Sequence, residues 1–172
     1  MKKFKIKFMV AFFATLALLF ILSGYQPGPK EFVTNRTFET RSDFFFNYEI
    51  IRYPSSVSVS STGPTEEKLK IGVVVDPWNL NFGIIPVGKN FGTRFIDLEN
   101  PTDKDVKINF KVYGNISPFV NFTKNDFILH KKEKITIEVK FYAEQAKIGN
   151  YSGEIDVIIQ KPKYDFLYNF WR

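Results

Sequence analysis

Residues 80–100 read LNFGIIPVGKNFGTRFIDLEN. The stretch has the form of a short strand, a Gly/Pro turn and a longer strand that stops at Asn100-Pro101. Gly83 is expected to allow a bulge or a close strand approach, and Gly88 to supply a positive φ in the Pro86-Val87-Gly88 turn. A phosphate-cradling loop is excluded, because no helix follows and the spacing is not that of a P-loop.

Outward from this stretch the same two-residue period recurs. Leu69, Ile71, Val73 and Val75 alternate with polar or small residues. Val106, Ile108, Phe110 and Val112 alternate with Lys107, Asn109 and Lys111. Ile135, Ile137, Val139 and Phe141 alternate with Thr136, Glu138 and Lys140. Tyr151, Gly153, Ile155, Val157 and Ile159 alternate with Ser152, Glu154 and Asp156. Strict alternation predicts strands with one wet face, hence antiparallel pairing. Strand-plus-turn units of roughly ten residues predict an all-β sandwich.

Upstream, Lys2, Lys3, Lys5 and Lys7 precede the apolar run Phe8–Gly24, FMVAFFATLALLFILSG. Seventeen helical residues rise about 25 Å, at the short end of a bilayer span. The run lacks an amphipathic stripe, a lipobox cysteine and a small residue three before any cut near Ser23–Tyr25. The reading is an N-terminal transmembrane or signal helix over 1–25, with an uncleaved anchor favoured over cleavage. The lysines stay inside and the main domain lies outside the cytoplasmic membrane, or is secreted if the segment is cleaved.

Residues 26–67 read as a spacer and a strand-containing extension that docks on the domain. Phe44–Pro54 holds one strand and Phe32–Phe38 another, while Pro54–Thr65 is a Ser-rich loop in which Val57 and Val59 could pair weakly. Residues 68–160 form the sandwich. Residues 161–172 are an aromatic tail in which Tyr164, Phe166, Tyr168 and Phe170 alternate before Trp171. That pattern predicts a strand that packs on the extension, adds to a partner's sheet or touches the bilayer interface.

Composition narrows function. A hydrophobic fraction of 44% with twenty Phe excludes a disordered chain. The formal charge is +6, but beyond the four leading lysines twenty basic residues face eighteen acidic ones, spread along the chain. This argues against a nucleic-acid partner. Cysteine is absent, which removes disulfides, thiolate metal sites and thiol nucleophiles.

LNFGIIPVGKNFGTRFIDLENPTDKDVKINFKV, with its Phe82-Gly83, Pro86-Val87-Gly88 and Asn100, resembles the opening of one immunoglobulin-like group. That group includes the ASPM/SPD-2/hydin (ASH) and major-sperm-protein-like domains. Leu129, the charged turn Lys131–Lys134 and Gly149–Val157 resemble its second half. The resemblance covers residues 68–160. It implies an immunoglobulin-like antiparallel β-sandwich of about seven strands, used as a binding or spacer module and without an activity. The exported topology departs from the intracellular members, so their roles do not carry over.

Candidate sites are few. Asn100 is expected to bond backbone in its turn. Tyr151 is expected to bury its ring and place its hydroxyl on a backbone carbonyl. His130, the one histidine, reads as a solvated turn residue. Asp97, Glu99, Asp103 and Asp105 surround the Asn100 turn, but Lys104 and Lys107 interrupt them and no calcium-loop spacing is present. Asn35, Asn115, Asn121 and Asn150 open N-x-S/T sequons and are possible glycosylation sites, with Pro118 weakening the second. Possible partner contacts are Tyr164, Phe166, Tyr168, Phe170 and Trp171. No catalytic, cofactor or metal residue and no small-molecule substrate is indicated. The reading is a non-enzymatic, membrane-anchored envelope protein whose domain contacts another protein. The alternatives are a carbohydrate- or cell-wall-binding module using Trp78 and surface tyrosines, or an accessory subunit of a membrane enzyme complex.

Overall fold

The computed structural model describes residues 2–23, 28–61 and 78–171. One helix, α1 (Lys2–Ser23), precedes nine strands: β1 (Thr37–Ser42), β2 (Phe46–Ser60), β3 (Leu80–Pro86), β4 (Phe91–Glu99), β5 (Val106–Gly114), β6 (Val120–Phe122), β7 (Phe127–Leu129), β8 (Lys134–Tyr142) and β9 (Gly149–Pro162). Two 3-10 helices, η1 (Ser117–Phe119) and η2 (Asp165–Trp171), complete the elements. The fold is all-β. Six strands form one sheet, in the order β1-β2-β9-β5-β7 with β3 on β2, and three form a second, β4-β8-β6. Every pair is antiparallel except β2 with β3, which is parallel. Period two reports which face is buried and not the direction of the neighbour, so the parallel pair departs from the antiparallel pairing that alternation predicts.

The two sheets share one apolar cluster. Val106, Ile108, Phe110, Ile155 and Val157 enter it from the larger sheet, and Ile96, Leu98, Ile137, Val139 and Phe141 from the smaller. The rings of Phe110 and Phe122 stack between the sheets with centroids 4.6 Å apart. The alternation of β5 and β8 is therefore read correctly. The strand expected over Leu69–Val75 lies outside the described residues.

The extension is more deeply built in than its composition suggests. Pro54–Thr65 was expected to be a loop, yet β2 runs through Ser60 and buries Val57 and Val59. The strand pairs with β9 along fourteen residues, and a ladder that long overrides the weak strand propensity of serine. Pro54 is tolerated because it sits where β1 has ended at Arg52 and β3 has not begun before Ser55, so its missing N–H removes no bond on that side. The upstream strand begins later than expected, at Thr37, and its hairpin is set by Asp43. The Asp43 carboxylate accepts the Phe45 and Phe46 amides at 2.8 and 2.7 Å and the Tyr48 hydroxyl at 2.7 Å.

Around Gly83 the β2–β3 register shifts, with Ser56 facing Asn81 and Ser58 facing Ile84. Gly88 has φ 96°, the positive value expected of it; Gly83, at φ 78°, serves the bulge and not a close strand approach, since nothing lies within 4 Å of where its side chain would be.

The tail is not a strand. β9 ends at Pro162 and the chain turns into η2, where the Leu167 amide donates to the Tyr164 carbonyl at 3.1 Å. The three-residue period selects the residue between the aromatics. Leu167 is 1% exposed and packs with Phe45, Phe46, Tyr48, Ile50 and Ile158 in a second apolar cluster. The tail thus docks on β2, but through a leucine.

Candidate functional site

The most unusual chemistry lies on the face of the larger sheet turned away from the shared core. Register puts Arg52 of β2, Asp156 of β9 and Lys111 of β5 in one row, and Tyr113 opposite Glu154 in the next. Alternation predicts that Glu154 and Asp156 face water. They are instead 0% and 6% exposed. The reason is that residues 28–33 cross this face. The Val33 amide donates to Glu154 Oε2 at 2.8 Å, Arg52 Nη2 donates to the Glu31 carbonyl at 3.0 Å, and Gly28 lies against the Tyr113 ring.

Glu154 is fully provided for. Besides Val33, it accepts Arg52 Nε at 2.7 Å and Arg52 Nη2 at 3.2 Å. Charge-assisted bonds of this kind are among the strongest in proteins and offset much of the desolvation of the ion. Asp156 is not so placed. Its Oδ1 lies 4.0 Å from Arg52 Nε and has no hydrogen-bond partner. Burial first, then the contact with Glu154, pushes the Asp156 carboxyl up to about 8, against the opposing pull of Arg52. One guanidinium shared by two buried carboxyls leaves one of them protonated. Glu39, 3.9 Å from Arg52 Nη1, adds to the negative side and is itself paired with Arg41 at 2.6 Å. The cavity beside the cluster, lined by Pro29, Glu39, Arg41 and Tyr113 among others, is only about 10 Å³, room for about one water molecule. The arrangement is built to hold a chain segment and leaves no room for a substrate.

Aromatic side chains supply the exposed features. Tyr164 and Phe166 stack at 5.8 Å, and Phe44 adjoins Tyr164 at 6.4 Å. All three are exposed. Tyr168 is half-buried beneath Lys104, whose Nζ lies 5.4 Å from the ring centroid. Phe170 and Trp171 belong to η2, and their side chains lie outside the described residues. A second group, Phe91, Phe95 and Tyr142, stands on the outer face of the smaller sheet. Beside it, Phe119, Asn121, Tyr142, Glu144 and Gln145 line an open cleft of about 270 Å³.

The remaining candidates fall apart as sites. The Asn100 amide nitrogen donates to the carbonyls of Lys104, Leu129 and His130 at 2.8–3.2 Å, and its oxygen accepts Thr102 Oγ1 at 2.7 Å. It is a buried cross-brace of its turn. The Tyr151 hydroxyl donates to the Lys147 carbonyl at 2.9 Å while its ring packs between Phe119 and Phe141, as expected of a corner tyrosine. The four carboxylates near Asn100 do not converge. Asp97 accepts Thr136, Glu99 pairs with Lys134, Asp103 with Lys132, and Asp105 with His130. His130 is exposed. Asn35, Asn115, Asn121 and Asn150 are all exposed, and Asn115 Oδ1 accepts the Ser152 amide at 2.7 Å. Trp78 is exposed as well.

The side chains described on α1 are those of residues 9–19, and Met9, Val10, Phe12, Phe13 and Leu18 are more than half exposed. Among the described residues no helix is long and apolar enough to cross a membrane.

No protein-family model matches the chain, and comparison with curated proteins and with solved structures gives no match.

Proposed function

We propose that the chain is a non-enzymatic envelope protein, held at the membrane by its N-terminal segment. Its β domain, an immunoglobulin-like sandwich, makes protein contacts outside the cytoplasmic membrane. The observation that carries this reading is the apolar surface of α1. Large side chains from Met9 to Leu19 stand open to the surroundings, and four lysines precede them. Apolar surface of that kind calls for a covering phase or partner, and the charge asymmetry gives the orientation. The contact surface in this reading is the Phe44, Tyr164 and Phe166 patch, whose rings are fixed by the Leu167 anchor beneath.

The test has two parts. Protease added to wall-stripped intact cells should digest the domain. Protection until lysis overturns the topology. Detergent-solubilised full-length chain should co-purify an envelope protein that a Tyr164→Ser/Phe166→Ser double variant loses. Equal recovery by both chains rejects this contact surface. A second reading, saccharide binding, draws on the open cleft where Tyr142 and Phe119 rings border Asn121 and Gln145. Retention on cell-wall glycan that is lost in Tyr142→Ala would favour it.

A further inference from the structure

We propose that residues 28–33 form a releasable strap, held against the sheet by Arg52 and Glu154 and freed when Asp156 loses its proton, so that pH sets how firmly the N-terminal helix is coupled to the domain. This goes beyond the envelope-anchor reading and does not depend on the partner surface.

The strap has few attachments and no ladder. The Val33 amide sits on Glu154, the Glu31 carbonyl on Arg52, Gly28 on the Tyr113 ring, and the Phe32 ring close to Gly114. Beneath it, β9 is paired along fourteen residues with β2 and eight with β5. Local opening of the strap therefore requires far fewer broken contacts than opening the sheet.

The groups that face Asp156 decide the charge balance. From β2 comes Arg52, from β9 Glu154, from β1 Glu39 and Arg41, and from β5 Lys111 and Tyr113. The strap itself carries Lys30 and Glu31. The η2 helix, which covers the same face further along, contributes Asp165, engaged by Lys104 at 2.5 Å. Among the described residues, Arg52 alone is within 4.0 Å of both buried carboxyls. With Asp156 protonated, Arg52 and Glu154 balance and the cluster is closed. With Asp156 ionised, a second negative charge with an unpartnered Oδ1 sits under the strap. Lifting the strap lets water reach it. Burial and the neighbouring Glu154 push this carboxyl up to about 8.

The chain has no cysteine, so a single nitroxide at Glu31→Cys reports the strap alone. The spectrum of the full-length chain in detergent micelles is recorded from about pH 6 to about pH 10. An immobilised spectrum at low pH should give way reversibly to a mobile one, with a midpoint near 8 and unchanged far-ultraviolet circular dichroism. Adding Asp156→Asn should keep the label immobilised throughout. Glu39→Gln, which removes one repelling charge and leaves the ladder alone, should move the midpoint down. The proposal is overturned if the spectrum does not change with pH, or if Asp156→Asn shows the same transition. A Glu39→Gln midpoint that is fixed or raised, or strand signal lost together with the label's immobility, also overturns it. A failure of the domain to face outward would leave all these outcomes readable.

Discussion

The two faces of β9 are equally buried and chemically opposite. Ile155 and Val157 are 0% exposed in the core between the sheets, and so is Glu154 on the other face, with Asp156 close behind. On one side apolar neighbours come from a partner sheet. On the other, charged side chains are roofed by a passing segment and held by Arg52. Burial is thus not a property of the alternation itself. It depends on what crosses each face, and only the apolar face announces its cover in advance.

The largest effect that tests this comparison is on the apolar face. Val157→Asp puts an unpaired charge among apolar side chains, at a cost of several kcal/mol, comparable with the whole stability of a small domain. Loss of the cooperative unfolding transition is expected, and a near-native transition would show that the face is not sealed. On the charged face, Arg52→Ala leaves Glu154 buried without its cation and should cost about 3–5 kcal/mol by denaturant titration. Replacing Arg52, Glu154 and Asp156 together by Leu, Leu and Val should cost far less than Arg52→Ala alone, since the ions are then no longer desolvated. A triple variant less stable than Arg52→Ala would mean that the charges, and not just the cover, hold this face together.

The third test is pH. Folding raises the Asp156 carboxyl from its ordinary 3.8 to about 8, so the folded state binds the proton more tightly than the unfolded one. The stability this group contributes is therefore complete below about 4, declines as pH rises, and is gone above about 8. Melting temperatures should fall across that window in the native chain, and the slope should flatten in Asp156→Asn. Equal slopes in the two chains would remove Asp156 from the account.

Smaller effects probe the tail. Leu167→Ala should cost about 2 kcal/mol, the low end for a buried leucine, because a terminal turn relaxes easily into the space. Phe166→Ser should change stability by no more than about 0.5 kcal/mol, its ring being exposed. Its readout is partner recovery. If Phe166→Ser destabilises as much as Leu167→Ala, the exposed aromatics are structural and the contact surface lies elsewhere.

Local chemistry explains which features could be read from the sequence. The Pro86-Val87-Gly88 turn, the β4, β5 and β8 strands, the Asn100 bond to Lys104 and the Tyr151 corner depend on neighbours in sequence or on period two, and each is found where expected, whereas the Asn100 bonds to Leu129 and His130 come from across the fold. The Ser-rich half of β2 could not be read, since its strand character comes from its partners, residues 149–154 on β9, about a hundred residues away. The tail misled because its aromatics alternate as in a strand, while the pocket lined by Phe45, Phe46 and Tyr48 takes Leu167, which that two-residue period does not single out.

The buried charges mark the division most sharply. The sequence by itself determined that Glu154 and Asp156 share a face opposite to Ile155 and Val157, because the pleat fixes sides. It also determined that the fold is all-β, because alternation and turn residues act locally. Only the tertiary structure decided that the charged face is dry. Residues 28–33 must fold back across β9, and Arg52 must arrive from a different strand, before Asp156 has reason to hold its proton. Solvent exclusion depends on every chain segment that passes nearby, so no window of sequence contains it.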